Sequence, residues 1–357
     1  MRKAYLDNIR WSVGVCVVLY HVVYMYNGIG IPGVVGPLTA KQPQFIDLFM
    51  YAVYPWLMMI LFLVSGVSAR LALNRRTAGA FIRARTRRLL VPSTVGLFTF
   101  QFLQGIVNMK LSAAFGEMSA VPLPVLLLIV AVSGTGVLWY IQLLWLYSML
   151  LIPVRRLDRD RLWTLGGRAT PVMLVLTAIP VWLAAQVLNT PIIVVYRVGL
   201  YGFTFFFGYF VLSHDAVITR LKAWFPVLLA AALALCAVFC VAYFGENYAD
   251  VPVNRSALFT TYGWIASLAI LGGAARYGDR SSAFTAWMGE RSFGLYVFHY
   301  LGISTCGLLI GQQRTLPAAA VYLLTLAAGF LGGYLLNEVI SRVPLLRWTV
   351  LGIGKER

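Results

Sequence analysis

The chain has 357 residues, of which 60% are hydrophobic and 11% are charged, and its formal net charge is +17. Soluble domains are typically about half apolar and about a quarter charged, so this composition excludes an ordinary soluble enzyme. The apolar runs are continuous, which also excludes an outer-membrane barrel, whose strands alternate apolar and polar residues. The composition therefore predicts an all-α, polytopic membrane protein with about ten transmembrane helices.

Apolar runs separated by polar breaks predict the positions of these spans. In chain order the spans are residues 10–27, 48–73, 87–107, 136–154, 170–188, 194–213, 223–244, 256–276, 291–311 and 316–340. They leave no room for an extramembrane domain of any size. We therefore interpret residues 1–357 as a single integral-membrane domain.

The basic residues fall mostly in alternate loops. With both termini in the cytoplasm, 24 of the 29 Lys and Arg residues lie on the cytoplasmic side. The exceptions are Lys41, Lys110, Arg197, Arg255 and Arg314. This bias follows the positive-inside rule and agrees with an even number of spans. Nucleic acid is the least favoured partner, because the densest arginines belong to a short loop pressed to the membrane.

The first predicted span carries Arg10 and His21 on one helix face. Their spacing corresponds to about three turns plus 20° and to a rise of about 16 Å. Arg10 is therefore expected at the cytoplasmic boundary, and His21 near the middle of the membrane or just beyond it. Because Asp7 and Arg10 precede the apolar run, we expect the span to stay in the protein rather than to be removed as a signal peptide.

Ionisable side chains are costly inside a bilayer and tend to be retained for a reason. An apolar environment disfavours the charged form of an imidazole, which suits a group that accepts a proton from a hydroxyl. His21 is therefore a candidate catalytic residue, and a purely structural hydrogen bond between helices is an equally good interpretation. Arg10 alone is typical of a residue that sets membrane topology.

The loop after the second predicted span is rich in arginine. Seven arginines lie among residues 70–88, more than membrane orientation requires. Guanidinium groups match phosphate oxygens, so this loop can hold the phosphates of a nucleotide-bearing donor such as acyl-coenzyme A. Contact with anionic membrane lipids is the alternative, and the arginines alone favour it. The candidate donor-binding residues are Arg83, Arg85, Arg87 and Arg88.

Two later segments add further candidates. The stretch 121–133 is apolar but short, which favours an interfacial or re-entrant segment on the outer side. In the ninth predicted span, His299 shares a helix face with Tyr296 and can face His21. Two interpretations are open for His299, a buried side chain whose hydrogen bonds are satisfied by a partner and a role at the active site. No cluster of residues with metal-ligand spacing occurs, so no metal site is predicted.

Six short motifs follow one another along nearly the whole chain. They are Tyr5–Arg10 followed by His21, Phe62–Gly66, Arg87–Pro92, Leu138–Ile141, Phe205–Tyr209 and Ser292–His299. In this order they resemble the integral-membrane acyltransferase family 3, and Ser65–Pro92 resembles its glucan-succinylating branch. The chain departs from the family at Val137, where a histidine is often found.

The resemblance implies a membrane O-acyltransferase. Such an enzyme moves a short acyl group from cytoplasmic acyl-coenzyme A to a hydroxyl of a sugar or glycan acceptor. The resemblance implies that His21 is the catalytic residue, that Arg10 is a required partner, and that the arginine pattern within Arg83–Arg88 lies near the donor. The residues expected to bind substrate are Trp139, Tyr140, Tyr296 and His299. No permanently bound cofactor is expected, and the expected partners are acyl-coenzyme A, the glycan acceptor and membrane lipids.

Two questions stay open at the level of sequence. His21 can deprotonate the acceptor hydroxyl, or it can carry the acyl group as a transient acyl-imidazole. A transporter or flippase for a small anion or a lipid-linked sugar is the alternative class of protein. The two classes differ in whether His21 and His299 face a cavity connected to the arginine loop. The expected location is the inner or plasma membrane of a bacterium.

Overall fold

The computed structural model describes residues 3–112, 116, 118, 121–188 and 196–354. Within these residues every regular element is helical, and none is a β-strand. The α-helices are α1 (Ala4–Met25), α2 (Leu48–Leu73), α3 (Ala78–Arg85), α4 (Val91–Thr94), α5 (Gln101–Leu111), α6 (Leu123–Ser133), α7 (Trp139–Asp158), α8 (Arg161–Gly166), α9 (Pro171–Leu176), α10 (Ala178–Ala185), α11 (Val198–Phe210), α12 (Asp215–Tyr243), α13 (Ala257–Tyr277), α14 (Ala283–Cys306), α15 (Ala318–Ala327), α16 (Gly333–Arg342) and α17 (Pro344–Leu351).

Shorter helical turns interrupt or extend these helices. The 3-10 turns are Phe45–Asp47, Val95–Phe98, Gly136–Leu138 and Val253–Arg255, and the π-helical turns are Thr86–Leu90, Gly307–Gly311 and Ala328–Gly332. A π-helical turn widens a helix locally, and such turns are frequent at functional sites. One of the three lies in the arginine-rich segment and another directly follows α14.

Seven helical stretches of the described residues are long and apolar enough to cross a membrane. They are Ala4–Met25, Phe45–Leu73, Gly136–Asp158, Asp215–Tyr243, Ala257–Tyr277, Ala283–Gly311 and Ala318–Arg342. An eighth span results if Ala78–Phe98 and Gln101–Leu111, which meet at a bend of 60°, form one broken crossing. The chain is therefore a multi-pass membrane protein, but the predicted count of about ten spans is not confirmed.

The difference in count comes from helices that are apolar but short. The predicted spans 170–188 and 194–213 correspond to the helices Pro171–Ala185 and Val198–Phe210. The apolar stretch 121–133 forms α6, which has 11 residues. Its length of about 16 Å is roughly half the thickness of the hydrocarbon core, so an interfacial or re-entrant segment remains our interpretation.

The chain divides into two compact units. Unit 1 consists of Met1–Val13, Tyr51–Ala84 and Leu143–Gly289, and unit 2 consists of Gly14–Met50, Arg85–Gln142 and Glu290–Arg357. Arg10 therefore belongs to unit 1, whereas His21 and His299 belong to unit 2.

In unit 1, α2 and α11 approach each other through a reciprocal pair of glycines. Gly66 faces the backbone carbonyl of Phe205, and Gly208 faces the backbone carbonyl of Leu63. A Cβ atom on either glycine would collide with the facing backbone. Small residues allow close helix packing in membranes, where apolar burial between helices drives little association. Two of the sequence motifs, Phe62–Gly66 and Phe205–Tyr209, thus contain the contact that joins these helices.

The first sequence motif also has a packing role in unit 1. The side-chain amide of Asn8 donates to the carbonyl oxygens of Gly278 and Arg280 at 2.6 Å and 2.9 Å. The backbone N–H of Tyr5 donates to the Asp279 carboxylate at 3.2 Å. These bonds hold the beginning of α1 against the loop that follows α13.

In unit 2, apolar side chains of α1 and α14 form a common core with α15. Val22 and Met25 of α1 pack with Ile303 of α14 and Val321 of α15, and all four are buried. This core directly follows His21 along α1. It therefore fixes the helix turn on which the His21 side chain is carried.

Candidate active site

The two histidines of the membrane helices meet in unit 2. The Nε2 atom of His299 on α14 lies 3.0 Å from the Nδ1 atom of His21 on α1. The ring centroids are 5.1 Å apart and the ring planes are tilted by 44°. His299 is fully buried, whereas His21 is partly accessible. The structure therefore joins two residues that are 278 positions apart in the sequence.

The neighbouring carbonyl groups assign the hydrogens of this pair. The Nδ1 atom of His299 lies 3.0 Å from the Leu295 carbonyl and 2.9 Å from the Tyr296 carbonyl. The Nδ1 atom of His21 lies 2.9 Å from the Val17 carbonyl. A carbonyl oxygen accepts hydrogen bonds and donates none, so each Nδ1 atom carries a hydrogen.

This assignment determines which nitrogen can react. With its hydrogen on Nδ1, neutral His299 presents an acceptor at Nε2, and His21 donates to it from Nδ1. The remaining ring nitrogen of His21, Nε2, then carries a lone pair. A lone pair on a partly accessible imidazole can accept a proton or attack an electrophilic carbon. His299 stabilises the positive charge that His21 gains in either case.

Aromatic side chains surround His21. The ring centroids of Tyr20, Tyr24 and Tyr300 lie 5.2 Å, 6.0 Å and 5.0 Å from the imidazole centroid, and each pair meets edge to face. Edge-to-face packing restricts ring rotation. The three tyrosines therefore orient the imidazole.

The predicted substrate-binding aromatic residues lie beside His299 in the same unit. Tyr296 packs edge to face on Tyr140 with centroids 5.9 Å apart, and the Tyr296 centroid lies 6.4 Å from that of His299. The ring centroids of Trp139 and Tyr140 are 6.5 Å apart. The hydroxyl group of Tyr296 donates to the carbonyl oxygen of Val137. At the position where the family often has a histidine, this chain thus provides a backbone acceptor for Tyr296.

One of the candidate donor-binding arginines contacts the helix that carries His299. The Arg88 guanidinium lies 4.3 Å from the centroid of the Phe293 ring on α14, and it donates to the Leu351 carbonyl at 3.0 Å. Phe293 and Tyr300 are seven residues apart, so they share one face of α14 with a rise of about 10 Å between them. Unit 2 therefore connects Arg88 to the surroundings of His21 along a single helix face.

The other candidate arginines differ in their surroundings. Arg87 is exposed, and Arg85 is partly buried and has contacts of its own, both in unit 2. Arg83 is exposed and lies in unit 1. Arg70, the first arginine of the segment, is buried in unit 1, where it pairs with Asp160 at 2.5 Å. Arg70 is therefore a structural residue rather than a free phosphate ligand.

Arg10 has a local set of partners in unit 1. Its guanidinium pairs with the Asp7 carboxylate at 2.6 Å and donates to the hydroxyl group of Ser68 on α2. About 16 Å of helix rise separates Arg10 from His21 on α1, so the two side chains cannot touch. The required role that the family resemblance implies for Arg10 remains a prediction.

Sequence reasoning missed a set of polar side chains in the bent third span. Gln101, Gln104 and Asn108 follow one face of α5, and all three lie in unit 2. Gln104 donates to Asn108 at 2.7 Å and to the hydroxyl oxygen of Ser304 at 2.9 Å. Their spacing of three and four residues within an apolar run was a signal that could have identified them.

A metal centre has no support among the residues that the structure describes. No three side chains of His, Cys, Asp or Glu come together there in a way that could hold a metal ion.

The chain matches a known protein family over nearly its whole length. A family model described as an acyltransferase domain matches residues 3–338, which is nearly the whole chain. No curated protein and no solved structure matches the chain. The matched region includes both histidines, the arginine-rich segment and all six sequence motifs. The chain belongs to the acyltransferase 3 family, and it is a membrane acyltransferase that transfers groups other than amino-acyl groups.

Proposed function

We propose that this enzyme moves a short acyl group from acyl-coenzyme A to a hydroxyl of a sugar or glycan, with His21 as the catalytic residue. The observation that carries the proposal is the contact of 3.0 Å between His21 and His299. Together with the Val17 carbonyl, this contact holds the His21 ring in the tautomer that leaves a lone pair on Nε2.

The transfer proceeds as follows in the direct form of the mechanism. The acceptor oxygen attacks the carbonyl carbon of the thioester while its proton passes to the Nε2 atom of His21. The carbonyl electrons move to oxygen and form a tetrahedral oxyanion. When the oxyanion collapses, the carbon–sulfur bond breaks and the coenzyme A thiolate takes the proton from His21. His299 accepts a hydrogen bond from the His21 imidazolium in between.

An acyl-imidazole intermediate uses the same lone pair. In that form the Nε2 atom of His21 attacks the thioester carbon, coenzyme A leaves, and the acceptor hydroxyl then attacks the acyl-imidazole. The two forms differ in whether coenzyme A is released before the acceptor binds. A burst of coenzyme A release without acceptor favours the acyl-imidazole.

The arginines of unit 2 support a donor site near Arg88. Guanidinium groups bind phosphate oxygens in a fork geometry, and Arg87 and Arg88 lie in the π-helical turn of the first half of the broken third span. The Arg88 guanidinium contacts Phe293, and the same face of α14 leads on to Tyr300, which packs on His21. A phosphate group at the arginines and an extended arm along α14 would bring a thioester to His21.

The acceptor and the membrane follow from the family resemblance and the distribution of charge. We propose that the donor binds from the cytoplasmic side, that both termini are cytoplasmic, and that the acceptor approaches from the outer side of an inner or plasma membrane. The aromatic side chains beside His299, Tyr140 and Tyr296, suit stacking against a sugar. Family membership favours the transferase over the transporter that the sequence left open.

Ligand-dependent thermal stability of the purified protein tests the donor. Acetyl- or succinyl-coenzyme A should raise the melting temperature of the wild type in a saturable way, because a ligand that binds the native state stabilises it. The double variant Arg85→Ala/Arg87→Ala should lose this stabilisation.

The matched control is Arg75→Ala/Arg76→Ala, which removes the same charge from the same segment. It should keep the stabilisation by acyl-coenzyme A. An equal loss in both double variants would contradict a donor site specific to Arg85 and Arg87. A wild type that neither thioester stabilises would contradict acyl-coenzyme A as the donor.

A further inference from the structure

We propose that the first turn of α5 binds the oxyanion of the transfer reaction, with the side-chain amide of Gln101 as the principal donor. The proposal rests on the proposed function and adds a catalytic residue to it. All the residues concerned lie in unit 2.

Gln101 is the unexplained polar side chain of this region. It is 3% exposed, and its Nε2 atom has no hydrogen-bond partner among the described residues. A buried donor without a partner costs free energy, and native structures retain few of them. Its neighbour one turn further along α5, Gln104, is fully engaged with Ser304 and Asn108. The missing partner is therefore particular to Gln101.

Gln101 is the first residue of α5, the second half of the broken third span. The third span breaks by 60° before α5, which begins at Gln101 and has 11 residues. The N-terminus of a helix presents backbone N–H groups and the positive end of the helix dipole, both of which favour a negative charge. Broken membrane helices use such termini for anionic groups. The unpartnered amide of Gln101 lies on this same turn.

Hydrogen bonds and a close backbone contact surround the break in the third span. The Nε2 atom of Gln142 donates to the Ser93 carbonyl of α4 at 3.0 Å. The Thr94 hydroxyl donates to the Leu90 carbonyl at 2.6 Å. On the other side, Gly134 packs directly against the backbone carbonyl of Gln101. The first turn of α5 is thus fixed in place rather than frayed.

Contacts to α14 set Gln101 at the level of the histidine pair. The Phe100 ring packs on Phe298 with centroids 4.9 Å apart, and Gln104 bonds to Ser304 at 2.9 Å. His299 lies between Phe298 and Ser304 on α14. Gln101 lies between Phe100 and Gln104 on α5, so the two residues occupy the same level of the facing helices.

A second set of contacts leads from α5 to His21. A Cβ atom added to Gly136 would lie 3.8 Å from Cδ1 of Tyr300 and 3.9 Å from Cγ of Gln104. Tyr300 and Gln104 therefore border the same point, and the Tyr300 ring packs on His21 at 5.0 Å. In the proposed site, the carbonyl oxygen of a thioester held at His21 points towards α5.

The chemistry requires such a donor. When the acceptor oxygen bonds to the thioester carbon, the carbonyl electron pair moves to oxygen, and the histidine pair offers no group to stabilise it. The Gln101 amide donates to this oxyanion without being deprotonated, and the electron pair returns when the carbon–sulfur bond breaks. A preorganised donor of this kind contributes roughly 10²- to 10³-fold to turnover.

The test compares Gln101→Met with Gln104→Met. Methionine keeps the length of the side chain and removes the amide donor. Each purified variant is assayed for coenzyme A release from acetyl- and succinyl-coenzyme A with a glycan extract of the source cells as acceptor, and its melting temperature is measured with and without thioester. Gln101→Asn, which shortens the side chain by one methylene, is the second variant.

We expect Gln101→Met to lower kcat by about 10²- to 10³-fold. Its melting temperature should not fall, because no hydrogen bond is lost, and its stabilisation by acyl-coenzyme A should be unchanged. Gln104→Met should show the opposite pattern, a lower melting temperature with a much smaller change in kcat. Gln101→Asn should fall between wild type and Gln101→Met in kcat.

Two results would overturn the oxyanion site. One is wild-type turnover in Gln101→Met, and the other is a loss of turnover that follows a loss of stability as in Gln104→Met. The proposed function is judged separately with His21→Ala. An active His21→Ala beside an inactive Gln101→Met contradicts the histidine and supports Gln101, whereas the reverse contradicts Gln101 alone. A wild type that releases no coenzyme A overturns both.

Discussion

The reactive nitrogen of His21 is determined by its neighbours rather than by its position in the sequence. A helix carbonyl one turn earlier, that of Val17, already requires a hydrogen on Nδ1, and His299 accepts from the same nitrogen. This leaves Nε2 as the basic atom. The sequence predicts that His21 and His299 can face each other, but it does not contain the tautomer, which depends on distances of about a hydrogen bond.

His299 acts through His21, so it is a positioning residue. His299→Leu should lower kcat by about 10²-fold or more, because the imidazolium of His21 loses its acceptor, as in other base–orienter pairs. His299→Gln offers a carbonyl oxygen near the same place and should recover part of this loss. The KM for acetyl-coenzyme A should change little in either variant. Steady-state kinetics of the two purified variants measures this difference.

A merely structural His299 would give another pattern. In that case both variants would lower the melting temperature, and kcat per folded protein would be equal for the two. Rescue of kcat by glutamine at equal stability is therefore the diagnostic result.

At the scale of helices, the close contact between α2 and α11 rests on Gly66 and Gly208. Gly66→Ala should destabilise the protein by about 1–3 kcal/mol, since a methyl group must displace the facing backbone of α11. Gly79→Ala is the matched control, because the position is also helical and a Cβ there meets nothing within 4 Å. This control should be neutral or slightly stabilising.

The yield and melting temperature of the detergent-purified variants measure the effect. Equal melting temperatures for Gly66→Ala and Gly79→Ala would contradict the role that we assign to the glycine contact. A selective loss in Gly66→Ala would show that this motif serves packing.

The helices also show how far sequence reasoning reaches. The second predicted span, 48–73, coincides with α2, because a continuous apolar run between polar breaks has one solution in a bilayer. The third span does not coincide, because the helix bends by 60° before Gln101, and the contacts around the bend come from later parts of the chain, such as Gly134 and Gln142. Polar residues at 101, 104 and 108 follow the bend, but the mean hydropathy of the whole span is high enough that they do not interrupt the predicted span.

At the scale of the whole molecule, the charge distribution predicts the orientation. Both termini should be cytoplasmic, because 24 of the 29 basic residues then lie on that side. A reporter that is active only in the cytoplasm should be active when it is fused to either terminus. A reporter that is active only on the outer side should be active when it is inserted at Lys41, in the exposed loop between α1 and α2.

Reporters with the same activity at the C-terminus and at Lys41 would contradict this orientation. If both reporters are active in the cytoplasmic form, the span Phe45–Leu73 would place the arginines on the outer side, where acyl-coenzyme A is not supplied. The topology experiment is thus a check on the donor as well as on the number of spans.

The central claim is that His21 performs the transfer. The measurement that tests it most directly is acyl transfer from labelled acetyl- or succinyl-coenzyme A to a glycan extract of the source cells, by His21→Ala in lipid nanodiscs. The control is His214→Gln, which changes the third histidine of the chain, stacked on Trp163 in unit 1. We predict a loss of about 10²- to 10⁴-fold in His21→Ala and wild-type transfer in the control. Wild-type transfer by a folded His21→Ala protein would contradict the account.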